Sequence, residues 1–537
     1  VLELIDIPQP QSLPLIHNGL PFVLKEPQAH LRSIVSAYPD GLVLLRFPKS
    51  VSPTPIIVCS STEAMSELHD DVRFPKFATP ITEKIAPTGL FTSPTHNPAW
   101  AVSHRTVLPA LSGPQLLHDL PILQSTAHLL TAVVVDHGPK DGHVDIEDAL
   151  ARAAFDAICQ IAFRTNYGAL FHQPGSEFFD TLQKGVNEIY TESVTWPFLW
   201  RLKFLRRRRQ AARLSAAFAE VDAIIENRRR MGSEVGTEDL LGRLLWPVDP
   251  EAGLLITEDV IRDQVLNIAI VGQDTTKSLM TWVLYHLSAH PDIQREVQGE
   301  IDAVTGGDQS RPLSASDLAQ LHLLDRVLSE TLRLTQPFGA ISRYAAQEET
   351  LLGKYRVPQN SVIVVLRDKV HTDPANWTDP EHFDPDRWLP ERLATITPGS
   401  YLPFSAGIRA CIGQGFAHME AMTFLSSLLR AATFHLDGEY SFDTDPGFSL
   451  SPLSLETLRV TRREPKTTGS VGKPTTTTGC PHSSAPSQDV NVSEGLEELN
   501  TVGAKGSITV GYGSDGGTCL QIARRVSREA ARVGLTA

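Results

Sequence analysis

Residues 404–413 read Phe404-Ser405-Ala406-Gly407-Ile408-Arg409-Ala410-Cys411-Ile412-Gly413, just before a helical run in which Phe416, Met419, Met422, Leu425 and Leu429 share a face. Cys411 therefore lies just ahead of a helix N-terminus. Amide N–H groups and the helix dipole there stabilise an anionic thiolate, the form of cysteine that binds metal. Two glycines let the backbone approach a flat cofactor closely, and Arg409 supplies a fixed cation for an acidic group on that cofactor. Cys59 and Cys159 lie in apolar runs and read as buried structural thiols.

Working outward, helical periodicity dominates from residue 98 to residue 334, while short β-like runs occur at Leu42 to Leu45, Ile56 to Cys59 and Thr350 to Leu366. The fold class is mainly α with small β-sheets. One helix is clear: Thr257 is its N-cap, Glu258 and Asp259 suit the first turn, and His290-Pro291 stops it after Ala289. At 1.5 Å per residue this rod is about 48 Å long and crosses the whole domain. Within it Gly272-Gln273-Asp274-Thr275-Thr276 interrupts an apolar run, placing polar groups where a crossing helix should be dry. Thr275 can bond back to the Val271 carbonyl, loosening the helix locally and making room for dioxygen and water beside Asp274. Glu330 and Arg333 are three apart on one helical face and suit a buried ion pair with a third charged partner. Asn97-Pro98 starts another helix, on which Trp100 and His104 lie one turn apart.

The chain has 537 residues, 41 % hydrophobic and 20 % charged, with only 5 Cys. That excludes a wholly disordered chain and a disulfide scaffold, and length alone suggests three or four domains. A net charge of −14 argues against a general nucleic-acid binder. No apolar stretch reaches the ~20 residues of a membrane span, and Val1 to Phe22 does not resemble a signal peptide, so a cytoplasmic location is expected. The first residue is Val1 rather than Met, which suggests that the natural N-terminus is missing. Residues 465–506 are rich in Thr, Ser, Gly and Pro and read as a linker, leaving a body at 1–464 and a tail at 507–537.

The 404–413 segment resembles the cysteine-ligand loop of the cytochrome P450 family, Phe-x-x-Gly-x-Arg-x-Cys-x-Gly, at all five fixed positions. A chance match in a chain this long has a frequency of about 10⁻⁴. The resemblance implies haem b with Cys411 as thiolate ligand, Phe404 in the ligand loop, and Trp100, His104 and Arg409 beside the haem propionates. It makes Arg387 the partner that locks Glu330 and Arg333, and Asp274 and Thr275 the acid–alcohol pair that delivers protons for O–O cleavage. Thiolate donation favours that cleavage. A plainer reading leaves Trp100 in the core and His104 on the surface.

In the tail, Ser507 to Tyr512 is β-like and leads through a small-residue loop into an amphipathic stretch, an arrangement that cradles phosphate on backbone N–H groups. Ser514, Asp515, Gly516, Gly517 and Thr518 resemble the first phosphate loop of flavodoxin-like FMN domains. The whole resembles a self-sufficient cytochrome P450 fused to its NADPH reductase, as in soluble fatty-acid hydroxylases, ending soon after the linker. FMN, FAD and NADPH are thus expected of the longer protein, and a fused or external flavin reductase is the expected partner, with O2 as co-substrate.

The resemblance also places Phe91 over the distal haem face. Val271 and Phe338 stand where smaller residues are usual, which implies a narrow apolar pocket for a slim aliphatic chain. The Arg and Tyr that anchor a fatty-acid carboxylate in relatives have no counterpart; Arg46 is the nearest candidate. A fatty acid is accordingly less secure than another long alkyl or polyketide-like chain. Trp196 to Arg209 mixes aromatics with arginines and offers a weak peripheral membrane contact, although such a run is more often a solvated face. Cys480 and His482 make a poor metal site. The competing functions are a reductant-independent haem-thiolate isomerase or dehydratase, and a haem-binding sensor.

Overall fold

Helices begin where short polar side chains precede apolar-periodic runs. Asn97 accepts the Ala99 N–H at 3.0 Å, with Pro98 in the first turn, and opens α1 (Pro98–Val107). Next come α2 (Gly113–Thr131) and α3 (Ile146–Phe163), the second capped by Asp145 on the Asp148 N–H at 2.9 Å. α4 (Glu258–Ala289) is the 32-residue rod expected from the sequence, capped by the Thr257 hydroxyl on the Val260 N–H and ended at His290. α5 (His322–Leu334) carries Glu330 and Arg333, and α6 (Gln414–Ala431) follows Cys411.

This computed structural model describes residues 2–464 apart from 11–26, 39–40, 48–53, 78–84, 137–143, 174–175, 195–203, 234–235, 250, 349, 446–448 and 454–457. The expected linker, the expected phosphate loop Ser514–Thr518, Cys480 and His482, and the Trp196–Lys203 part of the aromatic-basic run lie outside the described residues. Of that run, Arg208 and Arg209 are exposed on the helix Phe204–Met231. No described helix is long and apolar enough to cross a membrane.

α4 packs against α3, α5 and α6, and one cluster of buried apolar side chains extends from Ile85 to Val460. A Cβ on Gly272 would lie 2.8 Å from Ile158 Cγ1, so glycine at that position lets α3 and α4 approach closely. Four strands, β1 (Leu42–Leu45), β2 (Ile56–Cys59), β3 (Ala340–Tyr344) and β4 (Val362–Leu366), form one sheet in the order β1-β2-β4-β3. β2 runs parallel to β4 with Ile56 opposite Val362; the other pairs are antiparallel. Leu42, Leu44, Ile57, Ile363 and Val365 point into one apolar cluster and Val43, Leu45, Val58 and Leu366 into another, so both faces are covered. The β-like stretch Thr350 to Leu366 resolves into a hairpin, Thr350–Leu352 with Tyr355–Val357, followed by β4.

Glu330 organises the segment leading to Cys411. Its carboxylate takes Arg333 through Nε and Nη2, both at 2.8 Å, Arg387 Nε at 3.2 Å, Trp388 Nε1 at 3.0 Å and the Asp384 N–H at 3.0 Å. Glu330 and Arg333 are 0 % exposed. Arg333 also donates to the carbonyls of His371, Pro380 and His382, and Arg387 to those of Thr378 and Asp379, so α5 holds residues 371–388 in place. Two more bonds carry this order toward the ligand loop. The Tyr401 hydroxyl donates to the Ser329 carbonyl at 3.1 Å, and the Leu402 N–H donates to His371 Nε2 at 2.9 Å. Burial pushes His371 down to about 3, which keeps its ring neutral and able to accept.

Removing the carboxylate leaves two buried guanidinium groups without their anion. Glu330→Ala should therefore cost about 3–5 kcal/mol, read as a lower urea midpoint at unchanged slope.

Candidate functional site

The segment around Cys411 is a tight loop. Gly407 has φ +69°, and a Cβ there would lie 2.9 Å from the His69 carbonyl oxygen, so both backbone shape and space require glycine. Ser405 also has positive φ, +62°, with its hydroxyl 3.2 Å from His69 Nε2. The Cys411 N–H donates to the Phe404 carbonyl at 2.8 Å and closes the loop. Cys411 presents accessible surface, whereas Cys59 and Cys159 are buried. Protein nonetheless surrounds it densely enough that desolvation raises its thiol pKa. The Gly413 N–H and Arg367 pull that pKa down, as expected ahead of a helix, but burial outweighs them. A cation at the sulfur reverses this balance.

Arg409 lies over the Trp100 ring, 4.4 Å from its centroid, and its Nη2 donates to the Ser93 carbonyl at 3.0 Å. Its Nη1 is buried without a partner among the described residues. Trp100 and His104 lie together, ring centroids 5.2 Å apart. The Trp100 Nε1–H donates to the Leu90 carbonyl at 3.1 Å, so Trp100 turns a ring face toward Arg409 while its N–H holds the Leu90 loop. Burial and then Arg409 lower the His104 pKa.

Sequence reasoning missed the groups that complete this cluster. Burial, then Arg409 and Arg343, push the Lys76 ammonium well below its usual range. Burial, then Arg343, brings Arg409 down to about 10. Asp71 is the carboxylate acting on all three cations. An isolated antiparallel bridge pairs Lys76 with Arg343, an encounter between distant parts of the chain that no local spacing announces. Arg367, also missed, donates to the carbonyls of Pro403 (2.9 Å) and Phe338, tying the ligand loop to the Phe338 segment.

Facing this cluster, the loop Thr88–Phe91 is fastened to α4. Asp263 accepts from the Thr88 N–H (2.8 Å) and hydroxyl (2.7 Å), Gln264 from the Leu90 N–H (2.9 Å) and Asn267 from the Phe91 N–H (2.9 Å). Phe91 is thereby brought against Phe338, the rings stacked at 5.7 Å, with Lys76 Nζ 4.0 Å from the Phe91 centroid. Val271 is half-buried on α4.

Further along α4, the Thr275 hydroxyl donates to the Val271 carbonyl at 2.9 Å and that of Thr276 to Gly272 at 3.0 Å. The local loosening expected from the sequence does not occur. α4 remains α-helical throughout, with the Thr275 and Thr276 hydroxyls bonded to carbonyls of the preceding turn and the Asp274 carbonyl taking Ser449 from outside the helix. Asp274 is 5 % exposed; its Oδ1 lies 3.3 Å from Lys277 Nζ, and its backbone carbonyl accepts the Ser449 hydroxyl at 3.0 Å. Its Oδ2 has no partner among the described residues.

Across from Thr276 on α6 lies Glu420, another residue the sequence reading passed over. It is 0 % exposed, and neither carboxylate oxygen has a hydrogen-bond partner among the described residues. Thr276 directs its hydroxyl to helix carbonyls, so its nearness lowers the Glu420 pKa only slightly against burial, which pushes it up to about 8.

The family model for cytochrome P450 matches residues 8–458. The chain belongs to the cytochrome P450 family, whose cofactor is a haem with a cysteine thiolate ligand. It is 26 % identical to a bifunctional cytochrome P450/NADPH–P450 reductase of Gibberella moniliformis, over 99 % of this chain and 48 % of that one. A self-sufficient cytochrome P450 monooxygenase of Phanerodontia chrysosporium is 27 % identical over 99 % of this chain and 49 % of its own. The crystal structure of the haem domain of cytochrome P450DA superposes with a TM-score of 0.77 at 28 % identity, covering 86 % of this chain and 98 % of that one. The chain spans about half the length of the curated relatives it matches. The residues present fit a haem: an accessible cysteine sulfur, and a cluster of cations in which Arg409 Nη1 has no acceptor among the described residues, as an acidic substituent would supply.

Glu420 provides a test of burial at this site. Its folded pKa of about 8 lies above the unfolded value of 4.5, so the folded chain holds the extra proton between them. Its contribution is fully present below the lower value and is lost as pH rises through the upper one, by about 1.4 kcal/mol per pH unit. Glu420→Gln should therefore be more stable than the unaltered protein by a margin that grows from pH 5 to pH 8, as measured by chemical denaturation at each pH.

Proposed function

We propose that residues 1–464 form a haem-thiolate monooxygenase domain that hydroxylates an aliphatic chain with O2. In this reading electrons come from NADPH through the FAD and FMN of a reductase joined by residues 465–506, and residues 507–537 open its FMN domain, with Ser514–Thr518 at the phosphate. The naming of several relatives as cytochrome P450/NADPH–P450 reductases supports it.

The observation that carries the reading is Asp274 beside Thr275, a buried carboxylate with one oxygen unpaired among the described residues, next in sequence to a hydroxyl in mid-helix. An isomerase that rearranges peroxides, or a sensor, has no use for such a pair. When bound, haem supplies oxygen activation and insertion into a C–H bond. Cys411 presents the sulfur ligand, and the Glu330 network, through Tyr401 and Leu402, keeps its loop in place. Arg409, with Lys76 and Arg343 close enough to influence its charge, holds the acidic groups of the cofactor; Trp100 and His104 pack beside it. Asp274 would take a proton from solvent and hand it to the Thr275 hydroxyl oxygen as the Thr275 O–H proton, which rests on the Val271 carbonyl, leaves for the oxygen substrate, so that the hydroxyl is restored. Phe91, Phe338 and Val271 form an apolar throat that excludes water and admits a slim alkyl chain.

Anaerobic reduction under carbon monoxide should give the absorption band of a thiolate-ligated haem protein, and Cys411→Ala should lose it; retention of the band in that variant overturns the ligand assignment. With an added NADPH-dependent flavin reductase, Thr275→Ala should keep the band yet lower product formed per NADPH by about tenfold, the difference appearing as peroxide or water. Phe338→Ala should lower KM for branched or bulky alkyl substrates relative to linear ones, with product analysis by mass spectrometry as the readout.

A further inference from the structure

Lys277 lies on α4 one turn after Asp274 and is itself buried. A lysine there is costly unless fully paired, and this one is: Nζ donates to Glu147 Oε1 on α3 at 2.7 Å and lies 3.3 Å from Asp274 Oδ1. The Ser451 hydroxyl donates to the same Glu147 oxygen at 2.7 Å, so the ammonium is anchored from a second helix and a strand. Burial opposes the charge, but the attraction of Asp274 and Glu147 more than offsets it and raises the Lys277 pKa. Along the line Asp274, Lys277, Glu147 the side chains are 6 %, 10 % and 31 % exposed, so the network begins in the core and ends at solvent.

We propose that Lys277 is a positioning residue for proton delivery: by holding Oδ1 of Asp274 it leaves Oδ2 as the one oxygen free to take and return a proton, and Glu147 fixes Lys277 in that role. The proposal rests on the assignment of Asp274 and Thr275 as the proton pair. A hydronium ion gives its proton to Oδ2 and leaves as water; the Oδ2–H bond then breaks as the Thr275 hydroxyl oxygen takes that proton and the original Thr275 O–H bond breaks, its proton passing to the oxygen substrate, so that carboxylate and hydroxyl are both restored and one proton has moved inward. Lys277 keeps its three protons throughout. Its task is geometric, because a carboxylate free to rotate would offer either oxygen in varying orientation, whereas Lys277 holds one of them.

The test uses the haem-loaded chain with an added NADPH-dependent flavin reductase and an alkyl substrate. Lys277→Met should lower product per NADPH by about tenfold and enlarge the solvent deuterium isotope effect on turnover, while Lys277→Arg restores most of both. A crystal structure of Lys277→Met should show the Asp274 carboxylate turned from its present place. Unchanged coupling and isotope effect in Lys277→Met, alongside lowered coupling in Thr275→Ala, overturns the role of Lys277 and leaves the proton pair standing. Unchanged coupling in Thr275→Ala overturns the pair itself, and the proposal with it. Should Lys277→Met fail to take up haem, Glu147→Gln decides: it loosens the lysine without removing it, so lowered coupling supports the proposal and unchanged coupling overturns it.

Discussion

One carboxylate, buried to 0 % exposure and shared by two guanidinium groups, sets the geometry of the segment that leads to the Cys411 loop. A buried ion cluster is a weak source of net stability, because desolvating three charges offsets most of their attraction. Its value here is directional. Glu330 fixes Arg333 and Arg387, and those two fix the carbonyls of residues 371–382. An apolar cluster of equal volume would hold the same mass without fixing which carbonyl faces which donor. The Cys411 loop needs that definition, because Gly407 and Ser405 both have positive φ and hold their shape only while His69 and its surroundings stay in place.

Apart from the long-range Glu330–Arg387 pair that the family resemblance implied, what was legible in the sequence was local. The Asn97 and Thr257 caps, the full extent of α4, the Glu330 and Arg333 pair and the bond from Thr275 to Val271 all join residues within four positions, and helical spacing states such relations directly. Lys76, Arg343, Asp71, Arg367 and Glu420 were not legible in this way. Each matters through a neighbour that only the tertiary fold supplies, such as the bridge between Lys76 and Arg343 or the packing of α6 on α4. The effect of Gly272-Gln273-Asp274-Thr275-Thr276 was misjudged for the same reason. From sequence a polar break in an apolar rod predicts a weakened helix, whereas Ser449, Lys277 and Gly272 against Ile158 turn it into side-to-side packing.

The cation cluster and α4 show opposite uses of burial. Around Arg409 three cations crowd one carboxylate, and desolvation lowers the pKa of each, Lys76 most strongly. A protein keeps such an excess of positive charge only where an anion offsets it, and the unpartnered Nη1 of Arg409 marks where that anion belongs. Trp100 contributes a ring face to the guanidinium rather than its N–H, so its part there is packing and cation–π attraction, while Leu90 takes the hydrogen bond.

Two carboxyl groups flank the Thr275-Thr276 step, and their surroundings differ in kind. Asp274 has an ammonium at 3.3 Å and a second carboxylate beyond it near solvent; Glu420 has no hydrogen-bonded partner among the described residues, and burial pushes its pKa up to about 8 against the pull of the nearby Thr276 hydroxyl. Environment rather than residue type assigns the two roles, since carboxyl groups start from similar intrinsic acidities and only the company differs. On the α4 side the acid is paired with Lys277, which Glu147 holds in turn. Lys277 therefore does two things with one charge: it makes a buried carboxylate tolerable, and it gives that carboxylate a direction.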